Sequence, residues 1–245
     1  MRYFVELSYN GTPFCGWQIQ PERVTVQGVL ENAFSLLLRE KIALTGCGRT
    51  DTGVHARQFF AHFETVQLLD GEKLTDKLNS FLPKEIAIQR IFVVSPELHA
   101  RFSATARTYK YYVAVAKDAF LFHYTYRMFR DLDVEKMNVA AEILLQTVDF
   151  TSFSKLHTQV NNNHCRVTEA HWQMENGVLV FTITADRFLR NMVRAIVGTL
   201  LQVGKGQITI SDFQSIINQK DRCSAGDSVP AQALFLEKVQ YPDIL

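Results

Sequence analysis

The order in which two hydrophobic rhythms alternate constrains this chain more than any single residue. Residues 2–9 follow the two-residue period of a strand, and Asn10-Gly11-Thr12-Pro13 turns the chain. Thr25 is placed to cap a helix on which Val26, Val29, Leu30, Ala33, Leu37 and Leu38 share a stripe. KIALTGC (41–47) and RQFFAHFET (57–65) read as strands, Leu74, Leu78, Phe81 and Leu82 mark a second helix, and IAIQRIFVV (86–94) is a further strand. After the connector SPELHARFSATA the order approximately recurs. RTYKYYVAVA (107–116) reads as a strand, and a helix over 133–146 follows with Val134, Met137, Ala141, Leu144 and Leu145 on one face. Two strands, CRVTEAHWQM and VLVFTITA, are turned by Glu175-Asn176-Gly177; a helix across 187–203, another after Ser211 and a last strand near ALFLEKV close the chain. This is the split strand-helix-strand pattern of ferredoxin-like folds, met twice. The repetition is one of element order, without convincing identity between the halves.

At 245 residues, 47% hydrophobic and 21% charged, the chain can bury a substantial core without staples. Cys15, Cys47, Cys165 and Cys223 are scattered, with no C-x-x-C pair; they fit neither a zinc ribbon nor a secreted disulfide framework, and are expected as reduced thiols in a cytoplasmic protein. MRYFVELSYNG lacks the basic head and apolar block of a secretory signal, and no run of about 18 apolar residues predicts a membrane span. The net charge is only +1, but its distribution is uneven: Arg101, Arg107, Lys110, Lys117, Arg127 and Arg130 face Asp118 alone within residues 101–130. The fold expected is α+β, with two ferredoxin-like (split β-α-β) halves, residues 1–105 and 106–245, whose antiparallel sheets lie side by side around a basic cleft.

Three stretches carry candidate chemistry. GCGRTDTGVHA (46–56) holds one carboxylate, Asp51, just past a predicted strand end; the nearest other acids are Glu40 and Glu64. TDTG alone reads as a turn aspartate bonding its own backbone. With Arg49 beside it and no acid near, Asp51 is expected to stay ionised, a state that suits a nucleophile or base. In DRFLRNMVRAIVG (186–198), a helix would set Arg187, Arg190 and Arg194 on one side. That stripe alone reads as a solvated basic edge, but Arg194 sits among apolar residues near Gly198, where a guanidinium seeks a carboxylate, and Asp51 is the partner to propose. In HARFSATARTYKYYV (99–113), Arg101, Arg107 and Lys110 interleave with Phe102, Tyr109, Tyr111 and Tyr112, offering phosphate contacts and flat faces for bases, or a strand with tyrosines in the core. In a strand Tyr109 and Tyr111 share a face that Tyr112 does not.

GRTDTGVHA, HARFSATARTYKYYV, DFTSFS and NMVRAIVGTLLQVG, in this order and over nearly the whole chain, together strongly resemble the tRNA pseudouridine synthase A family. The family usually has alanine where Thr52 stands and a different, often histidine-bearing lead-in where RFLRN stands. The resemblance implies an isomerase that breaks uridine's N-glycosidic bond, turns the uracil and joins it to the same ribose through carbon, without cofactor or metal. It implies Asp51 as the catalytic carboxylate, Arg194 holding it, Tyr109 packed against the target uracil and Arg49 helping to displace that base from its stack. Arg101, Arg107 and Lys110 would bind RNA, and the partners implied are the anticodon arm of tRNA, at positions 38 to 40, and a second copy of the chain.

Competing readings are weaker. His62-Phe63-Glu64 matches half of a zinc deaminase signature whose P-C-x-x-C half is absent, and both residues read better as partly exposed strand positions. A zinc site of Cys47, His55 and His99 would draw ligands from three segments without helical spacing. A glycosidase needs a second carboxylate that the Asp51 loop does not supply. A non-catalytic RNA-binding module of ferredoxin-like fold accounts for the basic aromatics but leaves Asp51 idle.

Overall fold

A computed structural model describes residues 1–128, 131–155 and 162–242; Arg130, counted in the basic stretch, lies outside them. The fold is mixed α+β, with mostly antiparallel strands and, among the described residues, five α-helices. The chain divides into two compact units, residues 1–105 with 235–245, and residues 106–234. The last strand, which the sequence order assigns to the second half, therefore falls largely in the first unit.

In the first unit β1 (Arg2–Tyr9) pairs antiparallel with β3 (His55–Glu64) and β4 (Ile86–Val94), and β2 (Thr45–Gly46) adds to β3. Alternation along β1 sends Tyr3, Val5 and Leu7 to one face, where Phe63 on β3 stacks on Tyr3 at 5.6 Å and meets Phe34 edge-on at 5.0 Å. Phe34 lies on α1 (Val26–Leu38), whose N-cap Thr25 accepts from Gly28 N–H as its sequence predicts, and α2 (Gly71–Phe81) packs beside it with Leu74 and Leu78 buried. Phe4 occupies the opposite face against Phe60, Phe92 and Tyr241.

Two strand expectations here need correction. KIALTGC forms strand only at Thr45–Gly46. Side chains of α1 take the backbone groups a ladder would use: Ser35 Oγ accepts from Ile42 N–H (2.9 Å), Glu31 Oε1 from Leu44 N–H (2.8 Å), and Gln27 Nε2 donates to Leu44 C=O (2.9 Å). Conversely β3 begins two residues early, because His55 and Ala56 pair parallel with Phe235 and Leu236 of the last strand.

In the second unit the antiparallel order is β5 (Ala106–Ala114), β8 (Val178–Ala185), β7 (Val167–Glu175), with β6 (Tyr126–Arg127) parallel to β5. Helix α3 (Val134–Gln146), capped by Asp133, packs on β7 and clamps it: Asn138 accepts from Trp172 N–H (2.7 Å) and donates to Trp172 C=O (3.0 Å). The helix expected across 187–203 is shorter, α4 (Met192–Gly204). Asp186 Oδ1 accepts from Arg187 N–H (2.7 Å) and Arg166 N–H (2.8 Å), and Asn191 adopts a left-handed conformation (φ +66°), so the chain turns before it coils. Arg187 and Arg190 consequently precede the helix, and the expected stripe of three arginines does not form. α5 (Ile210–Gln219) closes the unit behind a Thr209–Asp212 capping box. Among the described residues no helix is long and apolar enough to cross a membrane.

Candidate active site

Asp51 lies between β2 and β3, on a loop gripped by main-chain groups of neighbouring segments. Gly16 (φ +81°) presses against it so closely that a Cβ there would stand 2.5 Å from Thr50 O and 3.2 Å from the Asp51 carbonyl carbon. Trp17 N–H donates to Thr50 C=O (3.2 Å), and Val54 N–H closes a turn onto Asp51 C=O (3.1 Å). From below, the Tyr9 hydroxyl and Thr50 Oγ1 share a buried hydrogen bond of 2.8 Å, while Trp17 stacks on Phe59 at 4.1 Å. At the exit, His55 is buried against Phe235 and its Nδ1 accepts from Gly11 N–H (3.1 Å). The loop thus presents a half-buried Asp51 beside an exposed Arg49 from a rigid frame.

In the second unit, β5 carries Arg107, Tyr109 and Tyr111 on one face, and Thr108, Lys110 and Tyr112 on the other. Tyr111 is fully buried and donates to Pro230 C=O (3.0 Å); burial raises its phenol well above the usual range. Tyr109 is half-buried, with Phe188 edge-on at 5.0 Å. Arg107 donates to Asp186 C=O (2.7 Å), tying down the segment that carries Phe188. Lys110 faces the other way and pairs with Glu175 at 2.9 Å. Arg194, in the first turn of α4, donates through Nε to Val229 C=O (2.7 Å), and Val229 N–H returns a bond to Arg194 C=O (3.2 Å). Gly198, one turn on, lets the Asp227 carbonyl lie directly against the helix.

Arg101 belongs to the first unit, in the loop of residues 99–103, where its guanidinium lies over the Phe102 ring at 5.6 Å. His62, expected partly exposed, is buried instead, because its Nδ1 accepts from Ala100 N–H (3.1 Å) and its ring stacks on Phe4. Glu64, the other half of that motif, is exposed and bonds Arg2 at 2.5 Å.

A family model described as tRNA pseudouridine synthase matches residues 140–242. The tRNA pseudouridine synthase A of Parabacteroides distasonis is 54% identical over 245 residues, which is 100% of this chain and 97% of the relative. That of Bacteroides thetaiotaomicron is 53% identical over 99% of this chain and 91% of its own length; that of a Geobacillus species is 42% identical over 96% of each. This chain belongs to the tRNA pseudouridine synthase A family. In this synthase the two units each supply part of the sequence-predicted set: Asp51, Arg49 and Arg101 in the first, Arg107, Tyr109, Lys110 and Arg194 in the second. Sequence reasoning missed the residues that frame the synthase loop, Tyr9, Gly11, Gly16 and Trp17. Their signal was the run SYNGTPFCGWQ, which has more glycine and aromatic character than a plain turn needs. It also missed Phe188 beside Tyr109 and the 227–230 segment that orients Arg194.

Proposed function

We propose that Asp51 is the carboxylate with which this chain isomerises uridine to pseudouridine in tRNA. The observation that carries the reading is the rigid frame around a lone acid: the close approaches of Gly16 to Thr50 and of Gly11 to the Val54 carbonyl, with a buried tyrosine bond, serve to position a loop whose one acid is Asp51. In the reaction, the C1′–N1 bond of uridine breaks, the uracil turns, and C1′ bonds to C5. C5 loses a proton and N1 gains one, so no atom enters or leaves, and no redox or energy-carrying cofactor is called for. A carboxylate serves this chemistry by attacking the sugar or the base.

Arg194, oriented by Val229, holds the Asp51 carboxylate in place; Tyr109, propped by Phe188, packs against the target uracil; Arg49 helps to expel it from its stack. Among the RNA contacts, Arg101 and Arg107 fit better than Lys110, which faces away from Tyr109 and is neutralised by Glu175. The antiparallel order β4-β1-β3-β2 of the first unit, and the three strands β5-β8-β7 of the second, support ferredoxin-like halves; family membership supports tRNA positions 38 to 40, a homodimer and a cytoplasmic setting. The test is Asp51→Asn. Pseudouridine formation in a tRNA transcript should vanish while the transcript's Kd stays within a few-fold; measurable turnover in the variant would remove Asp51 from the mechanism. Equal conversion by both proteins would favour some other residue, and no conversion by the unaltered chain would leave an RNA-binding module.

A further inference from the structure

Phe102 is 76% exposed, yet the backbone beneath it is tied down by several hydrogen bonds. His99 Nδ1 accepts from both Arg101 N–H (3.0 Å) and Phe102 N–H (3.2 Å), and His62 Nδ1 takes the preceding Ala100 N–H (3.1 Å). Ser103 N–H donates to His99 C=O (3.0 Å), His99 N–H to Ser103 Oγ (2.9 Å), and the Tyr241 hydroxyl to Ala100 C=O (2.5 Å). The rings continue outward in sequence: His62 and His99 lie 4.7 Å apart, His99 and Phe102 4.5 Å, and the Arg101 guanidinium is 5.6 Å from the Phe102 centroid. Both imidazoles use Nδ1 as an acceptor, which requires the neutral form at that nitrogen. Burial lowers the affinity of each for a proton, with Arg2 adding to the effect.

The bonds from the loop to His62 and Tyr241 close the fold beneath it, but a ring left in water adds little to folding, so burial does not account for the Phe102 ring itself. Ordering does favour binding, because the cost of fixing the ring is met before the ligand arrives. The chemistry of the ligand follows from the neighbours. Phe102 is flanked in the chain by Arg101 and Ser103, and a guanidinium rather than an apolar side chain lies over its ring, which disfavours an apolar protein surface as the ligand. A flat ring with a guanidinium beside it suits a nucleobase and its phosphate. We infer that the 99–103 loop is a preorganised platform on which Phe102 stacks an unpaired base of the tRNA while Arg101 engages the adjoining phosphate. It is a subsite for substrate binding, separate from the uracil that Asp51 and Tyr109 would handle, and it rests on the tRNA reading above.

The test compares Phe102→Ala and Phe102→Trp with the unaltered chain, using an unmodified tRNA transcript for equilibrium binding and for pseudouridine formation. Phe102→Ala should raise Kd and KM together by roughly 5- to 150-fold, the loss of one base–aromatic stack, with kcat at saturating tRNA within about twofold. Phe102→Trp should restore binding, and the thermal midpoints of all three should coincide because the ring is exposed. Arg101→Gln should shallow the dependence of log Kd on log salt by about 0.7 to 0.9. An unchanged Kd in Phe102→Ala, or a fall in kcat alone, overturns the platform while leaving the isomerase intact. A Phe102-dependent Kd in a chain that makes no pseudouridine would do the reverse.

Discussion

Gly16→Ala probes the frame of the Asp51 loop without touching a reacting group. Two effects separate cleanly. At φ +81° any Cβ is strained, by about 1–2 kcal/mol. In addition the new Cβ would sit 2.5 Å from Thr50 O, 3.2 Å from the Asp51 carbonyl carbon and 3.3 Å from Thr52 N, all main-chain atoms that cannot rotate away. Restoring ordinary contact requires the loop to retreat by about 0.9 Å, and the 3.2 Å bond from Trp17 N–H to Thr50 C=O stretches with it. A displacement near 1 Å at a reacting group can cost on the order of 100-fold in rate. Gly177→Ala supplies the control: φ is +80° there, and nothing lies within 4 Å of the added carbon. Chemical unfolding should show Gly177→Ala destabilised by about 1–2 kcal/mol with kcat unchanged, and Gly16→Ala destabilised by more, with kcat for pseudouridine formation down roughly 100-fold. If the two variants lose equal stability and both keep kcat, the close approach at Gly16 does not position Asp51.

Burial, with His99 and Arg2 close by and Glu64 opposing weakly, pushes His62 down to about 4 from its ordinary 6.5. The unfolded chain therefore takes up this proton first, so the contribution is complete above about pH 6.5 and fades as pH falls toward 4. Between pH 8 and pH 5 the loss should be about 2 kcal/mol, and His62→Gln, whose amide oxygen can still accept from Ala100 N–H, should lose that much less over the same interval in urea unfolding. An identical pH slope in the variant would show that His62 is not the group responsible. Arg194→Lys keeps the charge but not the planar fork; kcat should fall roughly 10- to 100-fold with little change in tRNA affinity, whereas a loss confined to affinity would make Arg194 a phosphate contact.

The strand and helix order was legible because each long element carries its own period. β1, β4, β8 and the four helices capped by Thr25, Asp70, Asp133 and Thr209 follow from local chemistry alone. The failures lie where a side chain from elsewhere decides. Ile42 and Leu44 look like strand residues until Ser35 and Glu31 claim their amides, and Arg187 looks helical until Asp186 does the same. The two-residue strand Tyr126–Arg127 is too short to show any period. Asp51 was visible as a lone acid in a glycine-rich turn. What holds it was not, since Tyr9, Gly16 and Trp17 stand more than thirty positions earlier and act through contacts that only the fold creates.

That separation bears on how such a loop can vary. Because main-chain groups of Trp17 and Val54 grip the carbonyls of Thr50 and Asp51, replacement of exposed Thr52 leaves those contacts untouched and is free to retune which RNA is accepted. Gly11 and Gly16 have no such liberty: each gives room to a backbone that has nowhere else to go.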